Sequence, residues 1–204
     1  IRTPINTILG MNEMIHRETD SESILRYSED IKNSGKTLLS IVNDILDISK
    51  IESGKIRIVC AEYDISNMLV DTIHAADVKC REKGLRFRYD ISPEIPRYLF
   101  GDELRLKQVI TNIITNAIKY TEHGHVSFKV YHEDISDGEI NIVVSVEDTG
   151  IGIKDEDKDK IFNKFERIDE KRNKTVEGTG LGLSICKSLL ELMGTELRFI
   201  STYG

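Results

Sequence analysis

The sequence has no tryptophan, three prolines and three cysteines in 204 residues, and each scarcity removes a class of protein. So few prolines and 14 glycines, beside 39% hydrophobic and 31% charged residues, exclude collagen-like, low-complexity and disordered chains and leave a globular one. Cys60, Cys80 and Cys186 are odd in number, far apart and without a C-x-x-C pair, which argues against a zinc or redox motif and for reduced, intracellular thiols. No apolar run approaches the roughly 18 residues of a membrane span, and no basic-then-apolar signal opens the chain. Positive charge is also short: 28 basic against 35 acidic side chains give a net −7, which speaks against nucleic acid or an anionic membrane as the main partner. The chain opens Ile1-Arg2-Thr3-Pro4, without an initiator methionine and already in helical periodicity, and so reads as a segment of a longer protein.

What is present begins with two helical patterns. Ile1, Ile5, Ile8 and Ile15, with Asn12 filling the gap, step by fours and threes, which predicts a helix over 1 to about 18. Ile24, Ile31, Leu38 and Ile45 recur at sevens, with Ser28, Gly35 and Val42 between them, and predict a second helix over about 20 to 52. Thr19 and Glu22 have capping-box spacing, so the join is a short turn and the helices are antiparallel. Leu25, Leu39 and Leu46 add more apolar surface than one short partner helix covers, which favours a homodimeric four-helix bundle over a hairpin packed on its own downstream domain. Ser53-Gly54 ends the second helix.

After a boundary near 54 to 60 the texture changes. Alternation predicts strands over Lys55–Val59, Leu85–Ile91, Val126–Glu133, Ile140–Glu147 and Thr195–Thr202, with a hairpin turn at Ser136-Asp137-Gly138. Helices are expected over 65–83, 102–120 and 182–193. Hairpin strands mixed with long helices give an α+β fold, one sheet covered by helices.

Four segments carry chemistry. In VVSVEDTGIGI, 143–153, a strand runs into Asp148 followed by Gly150 and Gly152. The glycines let backbone approach a planar ligand while the carboxylate accepts a hydrogen bond from it, although a tight turn with a capping Asp has the same pattern. Gly178-Thr179-Gly180-Leu181-Gly182 stands directly before a helix, where backbone N–H groups form an anion site suited to a polyphosphate. The Gly-Lys-Ser/Thr ending of a P-loop is absent, and no βαβ context supports a dinucleotide fold. On the helix 104–121, Asn112, Asn116 and Lys119 share one face: two amides and an ammonium that suit hydrated Mg²⁺ with phosphates, or else a solvated polar stripe. Residues 154–177 hold eight basic and eight acidic side chains with Phe162 and Phe165 as the main apolar anchors, which reads as a lid tethered by two aromatics or as a solvated loop.

Together these segments resemble the catalytic half of sensor histidine kinases, in the GHKL superfamily shared with gyrase-type ATPases, over nearly the whole chain. NIITNAIKY at 112–120 is similar to the N box, DTGIG at 148–152 to the G1 box, IFNKF at 161–165 to the F box and GTGLGLS at 178–184 to the G2 box, in the family's order and spacing. The resemblance implies a helical hairpin for dimerisation and histidine phosphotransfer over 1–54, half of a dimeric four-helix bundle, and an ATP-binding α/β sandwich over 55–204. It implies that Asp148 accepts a hydrogen bond from the adenine amino group, that Gly150 and Gly152 line the adenine pocket, and that Asn116 ligates Mg²⁺ with Asn112 in support. Lys119 and Tyr120 would face the phosphates, Phe162 and Phe165 belong to the lid, and Gly178, Gly180 and Gly182, with Thr179 and Leu181 between them, form its hinge.

Gyrase-like hydrolases carry Glu four residues before the metal-binding Asn; this chain has Asn112, and an amide is a poor general base, so transfer to a held acceptor is favoured over attack by water. The start resembles the tail of the family's H box, whose His-Glu would directly precede Ile1, so the acceptor histidine lies outside this segment. None of His16, His74, His123, His125 or His132 matches it. Thr3 matches the position four after the acceptor, which in the family helps orient water for dephosphorylating the regulator. At the other end the family usually turns into one more strand after Tyr203-Gly204. The resemblance thus implies a protein-histidine kinase that uses ATP and Mg²⁺, forms a homodimer, relays phosphoryl to the receiver domain of a response regulator, binds no nucleic acid and reaches an inner membrane only through other segments of its parent. A GHKL ATPase and a nucleotide-sensing pseudokinase scaffold are the alternatives.

Overall fold

The computed structural model describes residues 2–136, 138–166 and 179–204. The chain divides into two compact units, Ile1–Ile56 and Arg57–Gly204.

In the first unit, α1 (Arg2–Glu18) and α2 (Glu22–Glu52) form an antiparallel hairpin. The expected Thr19–Glu22 capping box is not formed: Ser21 is the N-cap residue, no side chain caps the helix, and Thr19 Oγ1 instead accepts the Ser21 N–H at 3.2 Å. The helices meet through small and polar side chains. Asn12 Nδ2 donates to Ser28 O at 2.6 Å, Ser28 Oγ donates to Asn12 O at 3.2 Å, and both residues are buried. Gly35 faces the Leu9 side chain, with no room for a Cβ unless Leu9 moves. Short residues at these positions let the backbones approach, and Ile5 and Ile48 are buried as well. The branched residues at sevens are left on the outside: Ile24, Ile31, Leu38 and Ile45 are 41–49% exposed. Ile8, Met11 and Ile15 are likewise exposed on α1.

The second unit builds a three-stranded sheet and a separate two-stranded ribbon. The ribbon pairs β1 (Ala61–Asp64) antiparallel with β3 (Tyr98–Gly101). In the sheet, β2 (Arg86–Ile91) runs parallel to β4 (His125–Ser136), which pairs antiparallel with β5 (Glu139–Asp148). Lys55–Val59 forms no strand. The Val59 N–H bonds the Asp102 carboxylate at 2.8 Å instead of a strand neighbour, and extended pairing begins two residues later. The ribbon strand β3 was not expected, because YLFG is too short to show a period. Thr195–Thr202 also forms no strand: Thr195 N–H turns back to Leu190 O at 2.9 Å, and Ser201 Oγ accepts from Ile153 N–H at 2.9 Å.

Helices α3 (Ile65–Glu82) and α4 (Glu103–Tyr120) pack with the sheet around one core. Met68, Leu69, Ala76 and Cys80 of α3 and Ile110, Ile114, Ala117 and Ile118 of α4 recur at helical spacing. They close over Val126, Phe128 and Val130, the inward half of β4's alternation. Asp64 caps α3 by accepting from Ser66 and Asn67 N–H, and Asp102 caps α4 by accepting from Arg105 N–H. Helix α5 (Gly182–Leu192) packs on α4 and buries Ile185, Cys186 and Leu189.

Candidate nucleotide site

The site is assembled around the C-terminal half of α4. Because Val126 of β4 lies directly opposite Asp148 of β5, strand alternation puts Asp148 on the face that also carries Val126 and Val146, at the end of the sheet beside the last turn of α4. Asp148 is exposed, and its Oδ1 accepts the Gly150 N–H at 2.9 Å, which fixes the carboxylate over the following turn. The Ile151 N–H donates to Tyr120 O at 3.4 Å, tying this loop to α4. Gly150 is required by that contact: a Cβ would stand 2.5 Å from Tyr120 O and 2.7 Å from Asp148 Oδ1.

On the neighbouring face of α4, Asn112 and Asn116 are half-buried and their amides bond no described residue. Gly182, the first residue of α5, lies against both: a Cβ there would be 3.9 Å from Asn112 Cγ and 3.9 Å from Asn116 Nδ2. The N-terminus of α5 carries no side-chain cap, and its first N–H groups, beside the two amides, meet no acceptor among the described residues. Three residues on from Asn116, the Lys119 ammonium stands 4.8 Å from the centre of the Tyr120 ring. Lys158 and Lys160 are engaged locally, with Asp155 at 2.7 Å and Asp157 at 2.8 Å. The Lys158 bond holds the Asp155 carboxyl below its ordinary value, and the Asp157 bond raises Lys160.

Gly180, Thr179 and Leu181 enter α5 together. Gly180 adopts φ +70°, its O accepts the Phe165 N–H at 3.1 Å, and Leu181 N–H donates to Thr179 Oγ1 at 3.1 Å. Leu181 is buried. Phe162 packs edge-on against Phe199, with Lys187 5.5 Å from its ring, whereas Phe165 is 65% exposed. Gly152 turns toward the chain's last described segment, where a Cβ would overlap the Thr202 carbonyl. Gly178 and residues 167–177 of the expected lid lie outside the described residues. Thr3 is exposed on α1, in the other unit; its carbonyl accepts from Thr7 Oγ1.

Two contributors had no sequence signal of their own. Thr149 Oγ1 accepts the His125 N–H at 3.0 Å, locking the Asp148 turn to the start of β4. Lys83 Nζ donates to Ile118 O and Lys119 O, at 2.7 Å each, and burial lowers its ammonium below the ordinary lysine value. Among the described residues no cluster of three or more His, Cys, Asp or Glu side chains offers a metal site, so a cation here would meet amide oxygens. That donor set fits Mg²⁺, which keeps most of its water and takes few protein oxygens.

The family model described as histidine kinase-, DNA gyrase B-, and HSP90-like ATPase matches residues 101–204, and the one described as His Kinase A (phospho-acceptor) domain matches 1–54. Hybrid signal transduction histidine kinase B of Dictyostelium discoideum is 39% identical over all of this chain, which spans 10% of that protein. Sensor histidine kinase GacS of Pseudomonas protegens is 36% identical over all of it, 22% of that protein. The crystal structure of full-length ShkA in complex with AMPPNP is 32% identical with a TM-score of 0.73, covering 95% of this chain and 39% of that one. Acinetobacter baumannii histidine kinase AdeS, 21% identical with a TM-score of 0.60, shares the fold over 92% of this chain and 84% of its own.

Proposed function

The chain belongs to the histidine kinase-, DNA gyrase B- and HSP90-like ATPase family, as the core of a sensor histidine kinase, and from that membership we propose that it binds Mg-ATP at the end of α4 and serves transfer of the γ-phosphoryl group to a histidine just upstream of Ile1. The chain spans only a tenth to about a fifth of these curated relatives, so the activity of the whole protein is part of this proposal. One observation carries it: Asp148 with its Gly150 turn, and the Asn112–Asn116 amides with the open end of α5, meet the same helix from two sides.

In this reading Asp148 accepts a hydrogen bond from the adenine amino group through the oxygen that Gly150 leaves available, and Gly150 and Gly152 shape the loop around the base. The N–H groups of Gly182 and its neighbours, and the Lys119 ammonium, hold phosphate oxygens, with Tyr120 beside them. Asn116, supported by Asn112, would hold Mg²⁺, which would supply charge neutralisation to the phosphates. The Gly178–Gly182 hinge and the Phe162–Phe165 segment close over the nucleotide and exclude water. A neutral imidazole nitrogen forms the new bond to phosphorus as the bond to the β-phosphate oxygen breaks, ADP leaves, and the ring's other nitrogen gives up its proton. Asn112 activates no water, so the phosphoryl group is kept for the histidine.

The hairpin's exposed stripe at sevens is covered by a second copy of the chain, making a four-helix bundle on which the receiver domain of a response regulator docks, with Thr3 near the acceptor to orient water for dephosphorylating the regulator. Among the described residues no helix is long and apolar enough to cross a membrane; attachment to an inner membrane falls to other parts of the parent.

Titration calorimetry with Mg-AMPPNP tests the site. The wild-type chain is expected to bind, and Asp148→Asn, with an unchanged circular dichroism spectrum, to lose detectable binding because the amide swaps an acceptor for a donor. Equal affinity in the two would remove the adenine assignment.

A further inference from the structure

The last four carbonyls of an α-helix have no partner inside it, and most helices of this chain solve the problem locally. After α2, α3 and α5 the chain turns through a positive-φ glycine, Gly54, Gly84 or Gly194, and folds its own N–H groups back on the helix, as in Gly84 to Arg81 O and Leu85 to Cys80 O. Helix α4 does not. It leaves through Thr121 in an extended conformation, φ −99° and ψ 116°, and of its four terminal carbonyls one is met by the Thr121 side chain and three from elsewhere. Thr121 Oγ1 donates to Ala117 O at 2.7 Å, Lys83 Nζ to Ile118 O and Lys119 O at 2.7 Å each, and Ile151 N–H to Tyr120 O at 3.4 Å. The helix left without a local stop is the one that carries Asn116, Lys119 and Tyr120.

We infer that Lys83 is a positioning residue for nucleotide binding, its ammonium fixing the final turn of α4 so that Asn116, Lys119 and Tyr120 stand in register with the Asp148 loop. The inference rests on the reading of this region as the ATP site. Lys83 suits the task because its own backbone is immobilised: it is the C-cap residue of α3, its N–H bonds Lys79 O and Cys80 O, and Gly84 then turns the chain so that Arg86 N–H reaches Gly124 O, just past α4. A cation at the negative end of α4's dipole is favourable in addition to the two hydrogen bonds. Without it, two carbonyls in the turn bearing Lys119 lose their donors, the turn frays, and part of the binding energy goes to reordering it.

The test titrates Mg-AMPPNP into the full chain and its Lys83→Arg, Lys83→Gln and Lys83→Met variants, at a temperature where circular dichroism shows each fully folded. Loss of two charge-assisted bonds in Lys83→Met is expected to weaken affinity about tenfold. Lys83→Gln, which keeps one amide donor group, falls between, and Lys83→Arg, whose fork spans two carbonyls, returns to within about twofold of wild type. Should Lys83→Met not fold, the Gln and Arg variants decide the matter. Wild-type affinity in the Met or Gln variant, or an Arg variant no better than Gln, overturns the inference. A wild-type chain that fails to bind Mg-AMPPNP overturns the site reading beneath it.

Discussion

At position 112, four residues before Asn116 on the same face of α4, an amide stands where a hydrolase of this superfamily would place a carboxylate. A general base at such a position is worth about 10²- to 10⁴-fold. Asn112→Glu is therefore expected to raise acceptor-independent release of phosphate from ATP by at least tenfold, read with a phosphate-release assay; a rate equal to wild type would show that residue 112 does not govern water attack. Residues of this kind were legible because type and spacing are the signal: a carboxylate before two glycines, or amides four apart on a helix. Lys83, Thr149 and the Tyr120 carbonyl were not. A lysine before glycine reads as an ordinary helix end, and nothing in the order of residues says that its ammonium finds carbonyls 35 and 36 positions away.

The elements follow their patterns where a pattern has enough turns to be read. Helices α2 to α5 and strands β2, β4 and β5 lie within three residues of expectation, since each repeats its period several times. The short ribbon is different. Alternation over Lys55–Val59 describes exposure but not a partner, and Val59 gives its N–H to Asp102, so pairing starts at Ala61. Thr195–Thr202 alternates too, yet Thr195 N–H turns back to Leu190 O and Ser201 Oγ meets the Ile153 N–H, and alternation alone makes no ladder. The ribbon also carries a pH dependence. Asp64 caps α3 and bonds Arg97 at 2.9 Å, and that bond holds its carboxyl below the ordinary 3.8 against the opposing effect of burial. A lowered carboxyl contributes stability at neutral pH that disappears as pH falls through the lowered value. Thermal unfolding is expected to show Asp64→Asn less stable than wild type at pH 7, with the difference shrinking on acidification below 3.8. A gap independent of pH would mean that the charge on Asp64 is not what stabilises the junction.

Over the whole molecule, the proposal assigns the acceptor platform to the hairpin and the nucleotide site to the sheet unit, and the surface the hairpin leaves open is the larger structural clue. The repeat at sevens was visible in the sequence, but its direction was not. Only the Asn12–Ser28 pair and the Gly35–Leu9 approach show that the small residues face inward and the branched stripe outward. A glutamate at Ile31 or Leu38 should then cost the dimer rather than the fold. Sedimentation of Ile31→Glu is expected to shift a dimeric wild type to monomer with unchanged helix content, and a variant that remains dimeric would place the interface elsewhere. Phosphoryl transfer from ATP to a histidine is read most directly by giving γ-labelled ATP and Mg²⁺ to the parent protein, with the segment before Ile1 intact. Label is expected on the protein, acid-labile and base-stable, on a histidine, and absent from Asp148→Asn. Nucleotide that binds while all label appears as free phosphate, or as no product, would contradict it.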